Sequence, residues 1–221
     1  MGSDKAWRAG LVLILLSTAG LGQEPRHSKV IIVIYDSAQI GVKTLDRTEA
    51  IARTILQTAG VQPDWNAGSV EELRNMSLDF TAYSRANCEE RPSSAVLRVW
   101  ILSRAPSGVA PHALGFSLPC ARVGVQVTIY ADKVADVSQS GGPTFGRVLG
   151  YAIAHELGHM LLRSDVHEAG GLMKAIWSQH DWQRAAVSIV PFSATDVQRI
   201  RAFPPTTRDP RNPSIGFAHA R

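Results

Sequence analysis

The pentapeptide HELGH, His155–His159, sits inside the run FGRVLGYAIAHELGHMLL and leaves that run little conformational choice. On a helix, residues four apart share a face, so His155 and His159 project together and can hold one metal ion. Glu156 lies about 100° further round, too far to ligate beside them but within reach of a water on the metal. Leu149, Ile153, Leu157 and Met160 fall toward the opposite side, as burial of a helix requires. The spacing therefore predicts a helix from about Phe145 to Arg163 with one chemical face and one packing face. A catalytic zinc takes three protein ligands and keeps a fourth position open, so a third ligand must come from outside the pentapeptide.

Several zinc enzyme classes carry this motif. One takes its third ligand from a glutamate on a later helix; after Glu168 the only acidic residues are Asp181, Asp196 and Asp209, and none is a glutamate. Another takes it from just beyond the helix and places a methionine turn beneath the metal. The stretch resembles that second class, the metzincins, whose pattern is HExxHxxGxxH or HExxHxxGxxD followed by a methionine. His155, Glu156 and His159 match it, and Met173 in GGLM falls where the methionine is expected. Leu162 stands at the family's glycine and Asp165 at its third ligand.

Two residues therefore compete for the third position. Asp165 fits the ungapped alignment. Glycine reverses the chain there because positive φ costs it little; Leu162 resists that reversal, prolongs the helix and delays the ligand, which favours His167. The stretch is also similar to small exported bacterial proteins carrying HELGH, a later histidine and GIM, in which His167, Met173 and Trp177 find counterparts. The adopted set for Zn2+ is His155, His159 and His167, with Asp165 as the alternative.

The resemblance implies an exported zinc-dependent endopeptidase, with Glu156 as the general base that takes a proton from the zinc-bound water. Met173 would form an apolar floor rather than bind metal. The substrate would be a peptide or protein, paired with an edge strand at Leu114–Leu118 by β-augmentation. A rival reading is a zinc-binding module of the same fold without turnover; Glu156 speaks against it, because zinc binding alone needs no base.

The remaining sequence sets the context. Lys5 and Arg8 precede an apolar run, Ala9–Leu21, too short for a comfortable membrane span. That reads as a signal peptide over residues 1–22, with a domain over 23–203, a disordered tail over 204–221 and no stable membrane anchor after cleavage. The expected location is secreted or periplasmic, where Cys88 and Cys120 would form a disulfide. A net charge of +4, with Asp196 and Asp209 among the C-terminal arginines, gives no dense basic patch and no nucleic-acid partner. A monomer is expected.

For architecture, KVIIVIYD (Lys29–Asp36) reads as a strand buried on both faces. Asp46 and Glu49 propose a capping box for a helix that Gly60 closes. Strands are expected over Trp65–Val70, Ala95–Ser103 and Val123–Val134, with a last helix over Phe192–Phe203 capped by Ser193. The order gives an α+β fold of mixed α/β layers: one twisted mixed sheet, a backing helix and the metal-binding helix. His27, His112, His180 and His219 have no partner spacing.

Overall fold

The computed structural model describes residues 28–76, 96–121 and 124–202. The expected signal peptide, the tail over 204–221 and Cys88 lie outside them. Cys120 is buried, and its pairing with Cys88 lies outside the described residues too.

The chain forms one five-stranded mixed sheet with helices, in the order β1 (Ser28–Asp36), α1 (Val42–Thr58), β2 (Val61–Ala67), α2 (Val70–Asn75), β3 (Val96–Leu102), β4 (Gly115–Ser117), β5 (Val127–Tyr130), α3 (Ala131–Gln139), α4 (Phe145–Leu162), α5 (Gln179–Val187) and α6 (Ala194–Ala202). Across the sheet the order is β2-β1-β3-β5-β4. The first four of these strands run parallel and β4 runs antiparallel to β5. The β-branched run of β1 suits a strand paired on both sides. Val30, Ile32 and Ile34 enter the main core with α1 and α4, while Tyr35 packs on the opposite face with Leu73, Val125 and Trp100.

The metal-binding helix is placed by close contact with α1. Thr48 Oγ1 donates to Gly146 O at 3.1 Å. A Cβ on Gly150 would lie 2.8 Å from both Thr48 O and Ile51 Cβ. Two glycines one turn apart thus let the helix backbones approach where larger side chains would hold them off. α4 is buried on almost every side, which fixes its chemical face relative to the sheet.

Four expectations are corrected. The first helix starts at Val42 after Gly41, whose φ of 85° turns the chain, and not at an Asp46 cap. β2 starts at Val61 because Gly60, at φ 82°, sends the chain directly from α1 back alongside β1. The strand expected to reach Val134 stops at Tyr130, and α3 begins at once. There the Asp132 carboxylate accepts from the Ala105 amide, and Val134 turns fully into the core at helical spacing from Ala131. Finally, two principal helices were expected, and α3 and α5 join them along the cleft described below. No described helix is long and apolar enough to cross a membrane.

Candidate metal centre

α4 ends at Leu162, and the chain reverses at Arg163 in the left-handed region, φ 53° and ψ 42°. The helix does include the position where a glycine was missing, and the reversal comes one residue later on an arginine. A non-glycine residue pays about 1–2 kcal/mol for that conformation. The turn is secured by Ser164, whose amide donates to His159 O at 3.2 Å and whose carbonyl accepts from His159 Nδ1 at 2.7 Å. It carries the chain back across the face of α4, and His167 arrives opposite His155 and His159.

The ligand atoms of His155, His159 and His167 all lie within 4.8 Å of one another. Two nitrogens on a tetrahedral zinc stand roughly 3.4 Å apart, given bonds of about 2.1 Å, so a small inward movement of the rings closes the trio on one ion. The three rings surround a common point, with centroids 4.8 to 5.3 Å apart.

Hydrogen bonding sets the tautomers. His155 Nδ1 meets Leu172 O at 2.8 Å and His159 Nδ1 meets Ser164 O at 2.7 Å. A carbonyl only accepts, so each Nδ1 carries the proton and each Nε2 keeps a lone pair for a metal. Protonation is suppressed as well. Burial, helped by the neighbouring His159, pushes His155 down to about 4. Burial likewise lowers His159 and His167 from the ordinary imidazole value. At neutral pH the site therefore presents three uncharged imidazoles, the form that ligates.

Glu156, on the same helix, is 9% exposed. Burial pushes its carboxyl up to about 7, against the opposing effect of a 2.7 Å hydrogen bond donated by Ser117 Oγ to Oε2. Asp165 lines the same cleft but is exposed and stands outside the trio.

The floor comes from the next segment. The Glu168 amide donates to Met173 O at 2.8 Å, closing a tight loop, and the Leu172 amide donates to Pro191 O at 2.9 Å. Leu172 and Met173 are fully buried. A Cβ on Gly158 would lie 2.5 Å from Met173 Sδ and 2.8 Å from Phe192 Cε1, so a side chain here, between the two histidines of α4, would have to displace Met173 or Phe192. The chain after Met173 is anchored by Asp181, which accepts from Lys174 Nζ, from Ser178 Oγ at 2.7 Å and from the Ser178 amide at 2.8 Å. The Lys174 ammonium, with Ser178, holds the Asp181 carboxyl well below the usual carboxylate range despite its burial.

These groups open into a cleft of about 500 Å³. Its apolar wall is aromatic: the rings of Tyr151 and Trp177 are 5.3 Å apart and those of Trp177 and Trp182 4.6 Å apart. Strand β4 forms the facing wall, and the exposed His112 lies on its rim. His180 is exposed and does not belong to the trio, whereas His27 and His219 fall outside the described residues. The sequence reading missed Ser117, Tyr151, Trp182 and Asp181. Only Asp181 had a local signal, the capping box it forms with Ser178.

No protein-family model matches the chain, and no curated protein does. Among solved structures it is similar to a zinc-dependent peptidase from Methanocorpusculum labreanum, at 13% identity and a TM-score of 0.47 over 76% of this chain and 99% of that one. It is similar also to an archaemetzincin from Methanopyrus kandleri, at 14% identity and a TM-score of 0.45 over 82% and 98%. A third similar structure is metalloproteinase-II from Bacteroides fragilis, at 15% identity and a TM-score of 0.45 over 85% of this chain and 55% of that one.

Proposed function

We propose that this chain is an exported zinc-dependent endopeptidase in which His155, His159 and His167 hold the metal and Glu156 is the general base. The observation that carries the reading is the pairing of two kinds of group in one cleft. Three neutral imidazoles, two with Nε2 freed by a carbonyl at Nδ1, stand beside a buried carboxyl poised near neutrality. A zinc site serving structure alone needs no such carboxyl.

When bound, zinc would supply Lewis acidity, making water nucleophilic at neutral pH and polarising a peptide carbonyl. Glu156 handles the proton. Its Oε2 is engaged by Ser117, and Oε1 has no hydrogen bond among the described residues. Oε1 can take a proton from the attacking water and return it to the departing amine nitrogen. Strand β4 is outermost among the described strands of the sheet, where an extended peptide would be aligned by backbone hydrogen bonds, and the Trp177–Trp182 wall can receive an apolar side chain. Export through residues 1–22 to a secreted or periplasmic location belongs to the same reading. So do a Cys88–Cys120 disulfide, a monomeric state and the lack of a nucleic-acid partner.

The test is cleavage of a mixed peptide library by zinc-loaded protein starting at Gln23, run beside Glu156→Gln. Cleavage by the wild type alone supports the proposal. No cleavage by either protein, each carrying one zinc, would replace the peptidase with a non-catalytic zinc-binding module.

A further inference from the structure

Ser117 was not singled out by any motif, yet it makes the one side-chain hydrogen bond to the proposed base among the described residues. Its strand is held at a fixed distance from the sheet. The Leu118 amide donates to Gln126 O and the Tyr130 amide to Leu114 O, each at 2.8 Å. A Cβ on Gly115 would lie 2.4 Å from Thr128 O, so β4 presses against β5 more closely than any side chain there would allow. With its backbone set, the Ser117 hydroxyl reaches across the cleft and donates to Glu156 Oε2 at 2.7 Å.

A glutamate side chain has three rotatable bonds, and its terminal torsion is broad. Burial restricts where the carboxyl lies, but it does not decide which oxygen faces the reacting atoms. The hydrogen bond from a rigid strand does decide it. We infer that Ser117 is a positioning residue, whose hydroxyl holds Oε2 and thereby presents Oε1 of Glu156 to the cleft; the inference rests on the peptidase reading of the site. The same strand that aligns the substrate then sets the base, so substrate and base share one frame of reference. Misplacement of a catalytic group by about 1 Å can cost on the order of 100-fold in rate.

The experiment uses the zinc-loaded chain with Ser117→Ala and Ser117→Thr beside the wild type. Two readouts are taken: kcat and KM on a cleaved peptide, and the calorimetric affinity for acetohydroxamate. That probe chelates zinc and presents a proton to the carboxylate beside it, so it reports on Glu156 without turnover. Ser117→Ala should lower kcat by about 10- to 100-fold with KM within about 3-fold, and weaken acetohydroxamate by about 10-fold at unchanged zinc content. Ser117→Thr, which keeps the hydroxyl, should restore both to within about 3-fold. The inference is overturned if Ser117→Ala matches the wild type in both readouts, or if threonine fails to recover what alanine loses. A wild type that cleaves no peptide sinks the peptidase reading, and the acetohydroxamate series then decides the role of Ser117 alone.

Discussion

Replacing the proposed base should make the metal-free protein more stable, by an amount that depends on pH. Burial raises the Glu156 carboxyl from its ordinary 4.5 to about 7. Below pH 4.5 folded and unfolded chains both hold the proton, and burial of this group carries no ionisation cost. Between 4.5 and 7 the folded chain holds more proton than the unfolded one, so its contribution to stability falls as pH rises. Above about 7 the full penalty applies, about 3 kcal/mol at roughly 1.4 kcal/mol for each tenfold change in proton affinity. In Glu156→Gln that dependence disappears, while the amide oxygen can still accept from Ser117. Urea unfolding in excess chelator should show the variant about 3 kcal/mol more stable at pH 8 and less than about 1 kcal/mol more stable at pH 5. At pH 8 that moves the midpoint by about 1–2 M. The lowered His155 acts the other way, reducing stability as pH falls from 6.5 toward 4, but it is common to both proteins and cancels. Equal stability at pH 8, or the same gain at both pH values, would refute the reasoning.

Other outcomes follow from the same geometry. Gly158→Ala should lose about 1–2 kcal/mol in denaturant unfolding, since overpacking against Met173 and Phe192 outweighs alanine's helix propensity; a zinc titration should show weaker binding, because Leu172 beside Met173 orients His155. His167→Ala should weaken zinc more than about 100-fold and Asp165→Ala less than about 10-fold, read by competition with a chromophoric chelator. Asp181→Asn should destabilise the fold by about 1–3 kcal/mol by leaving the Lys174 contact and the Ser178 cap weakened. Because the Asp181 carboxyl is held low, its contribution is complete above its ordinary 3.8 and fades as pH falls below it. The variant's unfolding free energy should therefore fall less than the wild type's between about pH 4 and 2.

What could be read from the sequence was what one helix turn or one strand repeat encodes. The four-residue spacing of His155 and His159, the β-branched run of β1 and the Ser193 start of α6 are local signals, and each element lies close to its expected position. Element starts set by backbone turns were harder. Gly41 fixes the start of α1 by positive φ, which its neighbours do not announce, whereas Gly60 closes α1 where the sequence placed its end. The passage from β5 to α3 was hidden because Val125, Val127, Ile129 and Ala131 continue an apolar alternation, while the switch to helical spacing shows only in Val134, which joins Ala131 in the core three residues on. In the site, the loop after α4 gave two candidates, and the missing glycine located the reversal only to within a residue, at Arg163. Ser117 could not have been found from sequence: its partner is 39 residues away, and the meeting depends on the antiparallel pairing of β4 with β5.

The functional account rests on one zinc held by three histidines with a fourth position open, and X-ray absorption at the zinc edge of the loaded protein tests it most directly. The account predicts one zinc per chain with three imidazole nitrogens at about 2.0–2.1 Å and one further oxygen. Two imidazoles with carboxylate ligation, or a purified chain that takes up no stoichiometric zinc, would contradict it.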